Sequence, residues 1–470
     1  MGDELWQWDG TALADAIAKQ EVSSRQAVTA CFERLDRINP RINAVVETRR
    51  AEALAEADLA DAAVMRGEPL GLLHGVPVTT KINVDQAGSA TTSGVVAYKD
   101  RMAIADSPPV ANWRKAGAII IGRTNAPCYS HRWFTDNGLY GSTLNPWNPT
   151  LTTGGSSGGA AAAVATGLGP LAHGTDLAGS VRWPASACGV YGLRPSFGRV
   201  PAYNDSAEVE RSICLQLGST QGVIARSIRD LRSGLAAMAA RDDRDPWWTP
   251  VPADYEDRRG SRRVALLTGL PGIAADPEIT ETLQLTARWL EEAGYAVEEA
   301  TPPRLEEAAN LWLNMLFSDS KGEVAETMLR HGDERFRRAY LDTARIADNL
   351  TPHALLAGLA TRTTILRAWM AFFQRFAVLV LPTSWRLTFP ADYDQRGPNA
   401  IREVASALTP LTATALLGLP ALSVPVATVA GTPVGIQIVG GRFQEAACLA
   451  AAEALEARIG RLLPIDPRPL

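Results

Sequence analysis

The chain has 470 residues, enough for one large domain or two to three smaller ones. At 46 % hydrophobic and 21 % charged it can bury a large core, which excludes disorder over most of its length. A net charge of −5 with a pI near 5.7 gives no global basic field for nucleic acid, and no run of about 20 apolar residues offers a membrane span.

The opening Met1-Gly2-Asp3-Glu4-Leu5-Trp6 is acidic and lacks the apolar stretch of a secretory signal. Trp6 also stands where a myristoylation signal wants Ser or Thr. Ser23-Ser24-Arg25-Gln26 reads as a capping box for a helix carrying Val28, Cys31, Phe32, Leu35 and Ile38 at helical spacing, with Asn39-Pro40 expected to stop it. Residues 51–66, rich in Ala and Glu, predict a second helix. From Leu70 the texture changes. Gly75 to Lys81 predicts a short strand entering a loop, and Ala118-Ile119-Ile120-Ile121-Gly122 a fully buried strand after a helix ending near Lys115. Residues 130–160 are turn-rich, and Ala160 to Ala165 predicts a small-residue helix able to pack closely on a sheet.

Residues 240–262 are charged and proline-rich and read as a surface connection. Arg263 to Leu267 is the next predicted strand. Asp276-Pro277 then predicts an N-cap and first turn for a helix closed by Gly294, with another strand at Ala296-Val297. Strand–helix–strand at this spacing argues for α/β layers. Residues 304–376 read as mostly helical, Val378 to Pro382 as a buried strand, and 421–439 as a hairpin around Ala430-Gly431. A helix over 444–459 follows.

Five cysteines, Cys31, Cys128, Cys188, Cys214 and Cys448, form no C-x-x-C pair, so zinc and redox motifs fail. Buried free thiols in a reducing cytoplasm are the expectation. Of 46 basic residues only five are lysines: Lys19, Lys81, Lys99, Lys115 and Lys321. Lysine, unlike arginine, can lose its proton when desolvated, so Lys81 in its apolar, Gly/Pro-bounded stretch stands out.

Two segments look chemical. Thr153-Gly154-Gly155-Ser156-Ser157-Gly158-Gly159 surrounds two serines with four glycines. No Lys-Ser or Lys-Thr follows at P-loop spacing, so a phosphate cradle fails, while a flexible linker suits the adjoining helix poorly. Gly174 to Ala185 sets small residues before Ser180, a build that lets successive backbone N–H groups converge as an oxyanion hole. A tight turn with a solvated serine is the plain alternative. His74 and His173 lie near these loops, so counting alone does not exclude a histidine base. A Gly-x-Ser-x-Gly elbow is absent, because Ala178 and Arg182 occupy the glycine positions. Lys81, held neutral, is the alternative base.

Gly-Val-Pro-Val-Thr-Thr-Lys81, Gly-Gly-Ser-Ser-Gly-Gly, and Gly-Ser-Val-Arg-Trp-Pro-Ala 24 residues beyond Ser156 together resemble the amidase signature family. The tail Gly418-Leu419-Pro420-Ala421-Leu422-Ser423-Val424-Pro425, followed by Pro433 to Gln437, resembles that family's C-terminal sheet. The resemblance is strongest over residues 70–200 and weakest over 240–400. It implies an α/β fold: a single α/β/α sandwich over 1–470 around a mixed, twisted sheet. Within it, 1–66 would be N-terminal helices, 67–240 the catalytic core, 263–400 a variable helical cover, and 401–470 strands and a helix returning to the core.

The resemblance also implies a mechanism. Ser180 would be the nucleophile, Ser156, on a cis peptide, the proton shuttle, and neutral Lys81 the final base. The N–H groups of Leu177, Ala178, Gly179 and Ser180 would hold the oxyanion. Thr175, Asp176 and Arg182 would support the nucleophile loop or serve as structural hydrogen bonds alone, with Ser157 structural. Cys128 stands where many relatives carry an acidic residue, and is read as packing that can also line the pocket. The stretch His131, Arg132, Trp133, Phe134 matches residues near the acyl pocket: Trp133 and Phe134 as an apolar wall or as core, His131 or Arg132 as polar contacts.

The expected activity is hydrolysis of a small-molecule carboxylic amide, without metal or cofactor. Twelve tryptophans and the aromatic stretch favour an apolar or aryl amide. No nucleic acid or membrane is expected as partner, and a homodimer is left open. The competing readings are the glutaminase subunit of a tRNA-dependent amidotransferase, a hydrolase of urea derivatives such as biuret, and an inactive binding or scaffold protein. Retention of Lys81, Ser156 and Ser180 speaks against the last.

Overall fold

A computed structural model describes residues 4–252, 255 and 262–469. Among the described residues thirteen strands lie in chain order: β1 (Val45–Glu47), β2 (Pro77–Lys81), β3 (Ile119–Thr124), β4 (Asp136–Asn137), β5 (Gly141–Ser142), β6 (Leu171–Asp176), β7 (Tyr191–Arg194), β8 (Thr220–Ala225), β9 (Arg263–Leu266), β10 (Ala296–Glu299), β11 (Val378–Pro382), β12 (Ala421–Val429) and β13 (Thr432–Gly440). Eleven form one sheet in the order β1-β3-β2-β6-β8-β7-β12-β13-β11-β9-β10, and β4 and β5 pair separately. The sheet is mixed. β3, β2 and β6 run parallel, as do β11, β9 and β10, while the centre is antiparallel.

Alternation along the strands builds two cores. On β11, Val378 and Val380 join the cluster of Leu171, Val223, Leu422, Ile436 and Ile438 on one face, while Leu379 and Leu381 join Trp312, Trp369 and Leu416 on the other. Helices cover both faces, so a strand such as Ile119-Ile120-Ile121 is buried throughout and reads as a continuous apolar run. The helix Gly158–Ala165 is buried at every position, and its alanines let it lie close against β6 and β8. The result is the α/β/α sandwich expected from the resemblance.

The capping box forms: Ser23 Oγ accepts the Gln26 N–H at 3.0 Å and Gln26 Oε1 accepts the Ser23 N–H at 2.8 Å. Pro40 does not end that helix, which runs over Ser24–Ile42. Termination falls to Asn43 at φ 52°, while Asn39 Oδ1 takes the Ala44 and Val45 N–H groups at 2.9 Å. A proline in the last turn removes one hydrogen bond, and the side chain of Asn39 ties down the chain that leaves. Asp276 occupies the N-cap position of Pro277–Glu292 without capping, because its carboxylate accepts the Leu387 N–H at 2.7 Å instead.

The segment read as a helical cover holds helices Leu305–Asp319, Glu323–His331, Glu334–Ile346 and Pro352–Phe372, and its predicted strands β9, β10 and β11 complete one edge of the sheet. The charged connection is exposed over most of 241–250; residues 253, 254 and 256–261 lie outside the described residues, as do Met1 to Asp3. Among the described residues no helix is long and apolar enough to cross a membrane.

Candidate active site

Parallel strands β2 and β6 are neighbours, so their C-terminal ends reach the same edge of the sheet. Lys81 ends β2, and Thr175 and Asp176 end β6. Lys81 is wholly buried, and its Nζ lies 2.7 Å from Ser156 Oγ, 2.9 Å from Thr175 Oγ1 and 3.1 Å from Ser157 Oγ. Burial pushes the Lys81 ammonium well below its usual 10.5, and the charge of Asp176 only partly offsets it. Three hydroxyls suit a neutral amine, which has two hydrogens and one lone pair. The Ser157 hydroxyl donates to the Thr175 carbonyl at 3.3 Å and so accepts from Lys81. Thr175 Oγ1 accepts from Asn83 Nδ2 at 3.0 Å and has a second lone pair for Lys81. In a neutral amine the lone pair would then be left for the Ser156 hydroxyl, the closest of the three.

The Gly155–Ser156 peptide is cis. Chain segment 132–134 lies directly on this loop: a Cβ on Gly155 would sit 2.5 Å from Phe134 N and 2.6 Å from the Arg132 carbonyl oxygen. The Ser157 N–H donates to the Ser180 carbonyl at 3.0 Å, tying the two serine loops together. Ser180 is 6 % exposed, against 1 % for Ser156 and none for Lys81. Of the three it is the most exposed. Among the described residues Ser180 Oγ makes no hydrogen bond, so the row is closed between Lys81 and Ser156 but not from Ser156 to Ser180.

Three successive carbonyls of the loop before Ser180 are each held by a donor. Asp176 O accepts from Arg194 Nη1 at 2.5 Å, Leu177 O from Trp312 Nε1 at 2.9 Å, and Ala178 O from Trp133 Nε1 at 2.9 Å. A trans peptide sets its N–H opposite its C=O, so each bond also aims the N–H on the far side. The N–H groups of Leu177, Ala178 and Ser180 have no acceptor among the described residues. Gly179 corrects the sequence expectation. Its N–H donates to Asp176 Oδ1 at 2.8 Å, so the buried carboxylate already occupies this donor. Gly179 has φ 103°, and a Cβ there would lie 2.6 Å from Leu411 Cδ1.

Asp176 is the centre of the supporting network. Its carboxylate takes the Val181 N–H at 3.1 Å and a two-pronged contact from Arg182, at 3.0 Å from Nε and 2.9 Å from Nη2. Burial alone would raise this carboxyl, but Arg182, Arg194 and the Gly179 N–H together hold it well below the usual carboxylate range. Arg182 continues to Thr414 Oγ1 at 2.6 Å and the Leu411 carbonyl at 3.0 Å.

The proposed pocket residues divide. Arg132 is buried in an ion pair with Asp136 at 2.6 Å and, through both prongs, with Asp394 at 2.8 and 3.0 Å, so its guanidinium is spent within the fold. Phe134 packs into a core of Trp183, Phe389, Leu408 and Leu411 rather than a pocket wall. Arg132 as a substrate contact is corrected on that ground, and of the two readings of Phe134 the structure shows the core rather than the wall. Cys128 Sγ donates to Asp333 Oδ2 at 3.0 Å, and burial together with that bond pushes its thiol up to about 12. It is a packing residue. His131 lies in an aromatic box, with ring centroids 5.5 Å from Phe317, 6.0 Å from Phe336 and 5.4 Å from Tyr340. Burial pushes its imidazole down to about 4. The chain flanking His131 reaches the site on both sides. Ser130 Oγ accepts from the same Asn83 amide that bonds Thr175, at 3.1 Å, and Trp133 holds Ala178.

Neither candidate histidine base meets the serines. His173 Nε2 bonds Gln221 Oε1 at 2.8 Å, and His74 Nε2 bonds the Ala60 carbonyl at 3.0 Å. A cavity of about 620 Å³ between helices Leu305–Asp319 and Pro352–Phe372 is lined by Asn310, Asn314 and Thr361 and by none of these side chains. Sequence reasoning missed Asn83, Arg194 and Trp312 and set Ser157 aside. Asn83, two residues past Lys81, had a signal in its place beside the base. Trp312, remote in sequence, had none.

A family model for amidases matches residues 26–449. The chain is 41 % identical over 459 residues to an indoleacetamide hydrolase of Bradyrhizobium diazoefficiens, covering 97 % of this chain and 88 % of that protein. It is 31 % identical to a glutamyl-tRNA(Gln) amidotransferase subunit of Moorella thermoacetica, over 96 % and 97 % of the two chains. Among solved structures, substrate-bound 6-aminohexanoate cyclic dimer hydrolase matches with a TM-score of 0.83 at 28 % identity, over 99 % of this chain and 98 % of that one. A lysine–serine cluster at the strand ends, with sequence and fold similarity over nearly the full length, makes the chain a member of the amidase signature family and an enzyme that hydrolyses amide C–N bonds.

Proposed function

We propose that the enzyme hydrolyses the primary amide of an arylacetic acid, of which indole-3-acetamide is the type, to the acid and ammonia. Ser180 Oγ bonds to the carbonyl carbon as its proton passes to Ser156 Oγ, whose own proton goes to the Lys81 amine. The oxyanion is held by the N–H groups of Leu177, Ala178 and Ser180. Ser156 then protonates the leaving nitrogen, recovering a proton from Lys81, and the C–N bond breaks. Water attacks the resulting ester by the same relay and releases the acid. Thr175 and Ser157 keep the amine lone pair on Ser156, and Asp176 with Arg182 keeps the nucleophile loop in place.

The observation that carries the substrate reading is the aromatic cluster of His131, Phe317, Phe336 and Tyr340, on a segment whose neighbours Ser130 and Trp133 are hydrogen-bonded into the site. With its pKa near 4, His131 is neutral at neutral pH, so the box offers rings and no charge to a neutral aryl group. The 41 % identical indoleacetamide hydrolase supports the same class. Glutamine, the substrate expected of an amidotransferase subunit, has no ring to place there.

The test is steady-state hydrolysis of indole-3-acetamide, phenylacetamide, propionamide and glutamine. Aryl amides should lead in kcat/KM. Phe317→Ala should raise KM for indole-3-acetamide about tenfold, or about 1.4 kcal/mol, and leave propionamide within twofold. Ser180→Ala should lower kcat by several orders of magnitude with folding intact. Preferred turnover of glutamine overturns the substrate assignment, and an active Ser180→Ala overturns the roles.

A further inference from the structure

Two tryptophans hold the loop before Ser180 from behind, and neither has a part in the bond-making steps. We propose that Trp312, assisted by Trp133, is a positioning residue for oxyanion stabilisation: its indole N–H fixes the Leu177–Ala178 peptide plane so that the Ala178 N–H faces the developing charge. The inference rests on the reading of Ser180 as nucleophile and of Leu177 and Ala178 as oxyanion donors.

The argument is one of planes. The peptide from Ala178 to Gly179 is held at both ends, its carbonyl by Trp133 at 2.9 Å and its N–H by Asp176 at 2.8 Å. The peptide from Leu177 to Ala178 is held at one end only, where Trp312 Nε1 donates to its carbonyl at 2.9 Å. Its other end must stay open for an oxyanion, so among the described residues Trp312 makes the one hydrogen bond to that peptide, with the flanking carbonyls of Asp176 and Ala178 held by Arg194 and Trp133. Fixed donors stabilise a developing charge better than loose ones because they need not reorganise as the charge forms. Trp312 is itself held firmly. It is 1 % exposed, and a Cβ on Gly218 would lie 2.0 Å from its Cζ2. Trp133 is steadied by Trp183, whose Nε1 donates to the Trp133 carbonyl at 3.1 Å. The helix Leu305–Asp319 that carries Trp312 also carries Phe317 of the aromatic box, so one element of the cover serves both ring contact and oxyanion geometry.

Trp312 is replaced by 3-benzothienylalanine, in which sulfur stands for the N–H and the ring shape is kept. Removing an oxyanion donor outright costs about 10²–10³ in kcat; a donor kept but loosened should cost about 10–50-fold. The expected result is that loss in kcat with KM within twofold. Affinity for a trifluoromethyl ketone analogue of the substrate, which binds as an oxyanion, should fall by the same factor, with unchanged affinity for the product acid and an unchanged melting temperature. Gly218→Ala, whose Cβ would press mainly on the Trp312 ring, at 2.0 Å from Cζ2, and less closely on Leu177 Cδ1, at 3.0 Å, should give the same split and decides the matter if the first protein does not fold. A kcat and ketone affinity within twofold of wild type, or equal losses for ketone and acid, overturn the inference. If Ser180→Ala stays active, the underlying reading has failed instead.

Discussion

Replacing Lys81 with Met separates a neutral buried amine from a charged one. Met fills the lysine stem and carries no proton. Because burial lowers the folded-state pKa of Lys81 below its usual 10.5, the folded protein holds fewer protons than the unfolded chain between the two values. Wild-type stability therefore rises with pH across that window, by about 1.4 kcal/mol per pH unit, and the Lys81→Met protein lacks this slope. Loss of the amine also strips the buried Ser156 hydroxyl of its one hydrogen-bond partner among the described residues, at about 1–3 kcal/mol for a buried group left unpaired, while Ser157 and Thr175 keep other partners. That cost does not depend on pH. It offsets the two curves without tilting one against the other, and every other titrating group cancels in the difference. Urea unfolding followed by tryptophan fluorescence at several values between neutral pH and about pH 9.5 should show wild type gaining stability on Lys81→Met as pH rises toward the usual lysine value. Wild-type kcat/KM should fall as pH drops through the depressed value, while Lys81→Met is inactive throughout. Parallel stability curves would mean a charged lysine in the fold, and the proton relay would have no base.

Asp176→Asn leaves Arg182 and Arg194 buried without their counter-charge and should cost about 3–5 kcal/mol in urea unfolding near pH 7. Since the Asp176 pKa is held below its usual value, its contribution is complete above about pH 4 and is lost as pH falls from there toward the depressed value. Arg132→Met should cost a similar 3–5 kcal/mol through Asp136 and Asp394 and leave KM for aryl amides unchanged; a raised KM with intact stability would put the guanidinium on the substrate. All five thiols are buried, so a disulfide-exchange reagent at about pH 8 should titrate none in the folded protein and all five in guanidinium.

What could be read from the chain were features with a local signature. The run Ile119-Ile120-Ile121, the Ser23 capping box and the Ala430-Gly431 turn each carry their geometry within a few residues, and each forms as expected. Within the site, Lys81, the Gly155-Ser156 loop and the Ser180 loop are likewise short motifs, and strand order brings them together. Arg132 misled because a charged side chain beside aromatic residues looks available to a ligand, and only tertiary structure reveals Asp394, 262 residues away, as its partner. Gly179 misled for a related reason. A glycine before a nucleophile suggests a free N–H, whereas the carboxylate three residues back turns it inward.

The arrangement also bears on how such a family varies its substrate without losing its chemistry. Lys81, Ser156, Ser157, Thr175 and Ser180 are bound to one another through β2, β6 and the helix-capped loops between them, all within residues 81–180. The rings that meet the substrate in the proposed reading come partly from 317–340, on helices that add no atom to the lysine–serine cluster. Those helices can be exchanged for others while the relay stays intact. The bond from Trp312 to Leu177 limits that freedom, because any replacement of the helix must still supply a donor at the same carbonyl or leave the adjoining N–H less well aimed. Substrate range and rate are thus coupled at one backbone oxygen. A cover redesigned for a larger ring should keep kcat only if that indole, or a hydrogen-bond donor in its place, is kept with it.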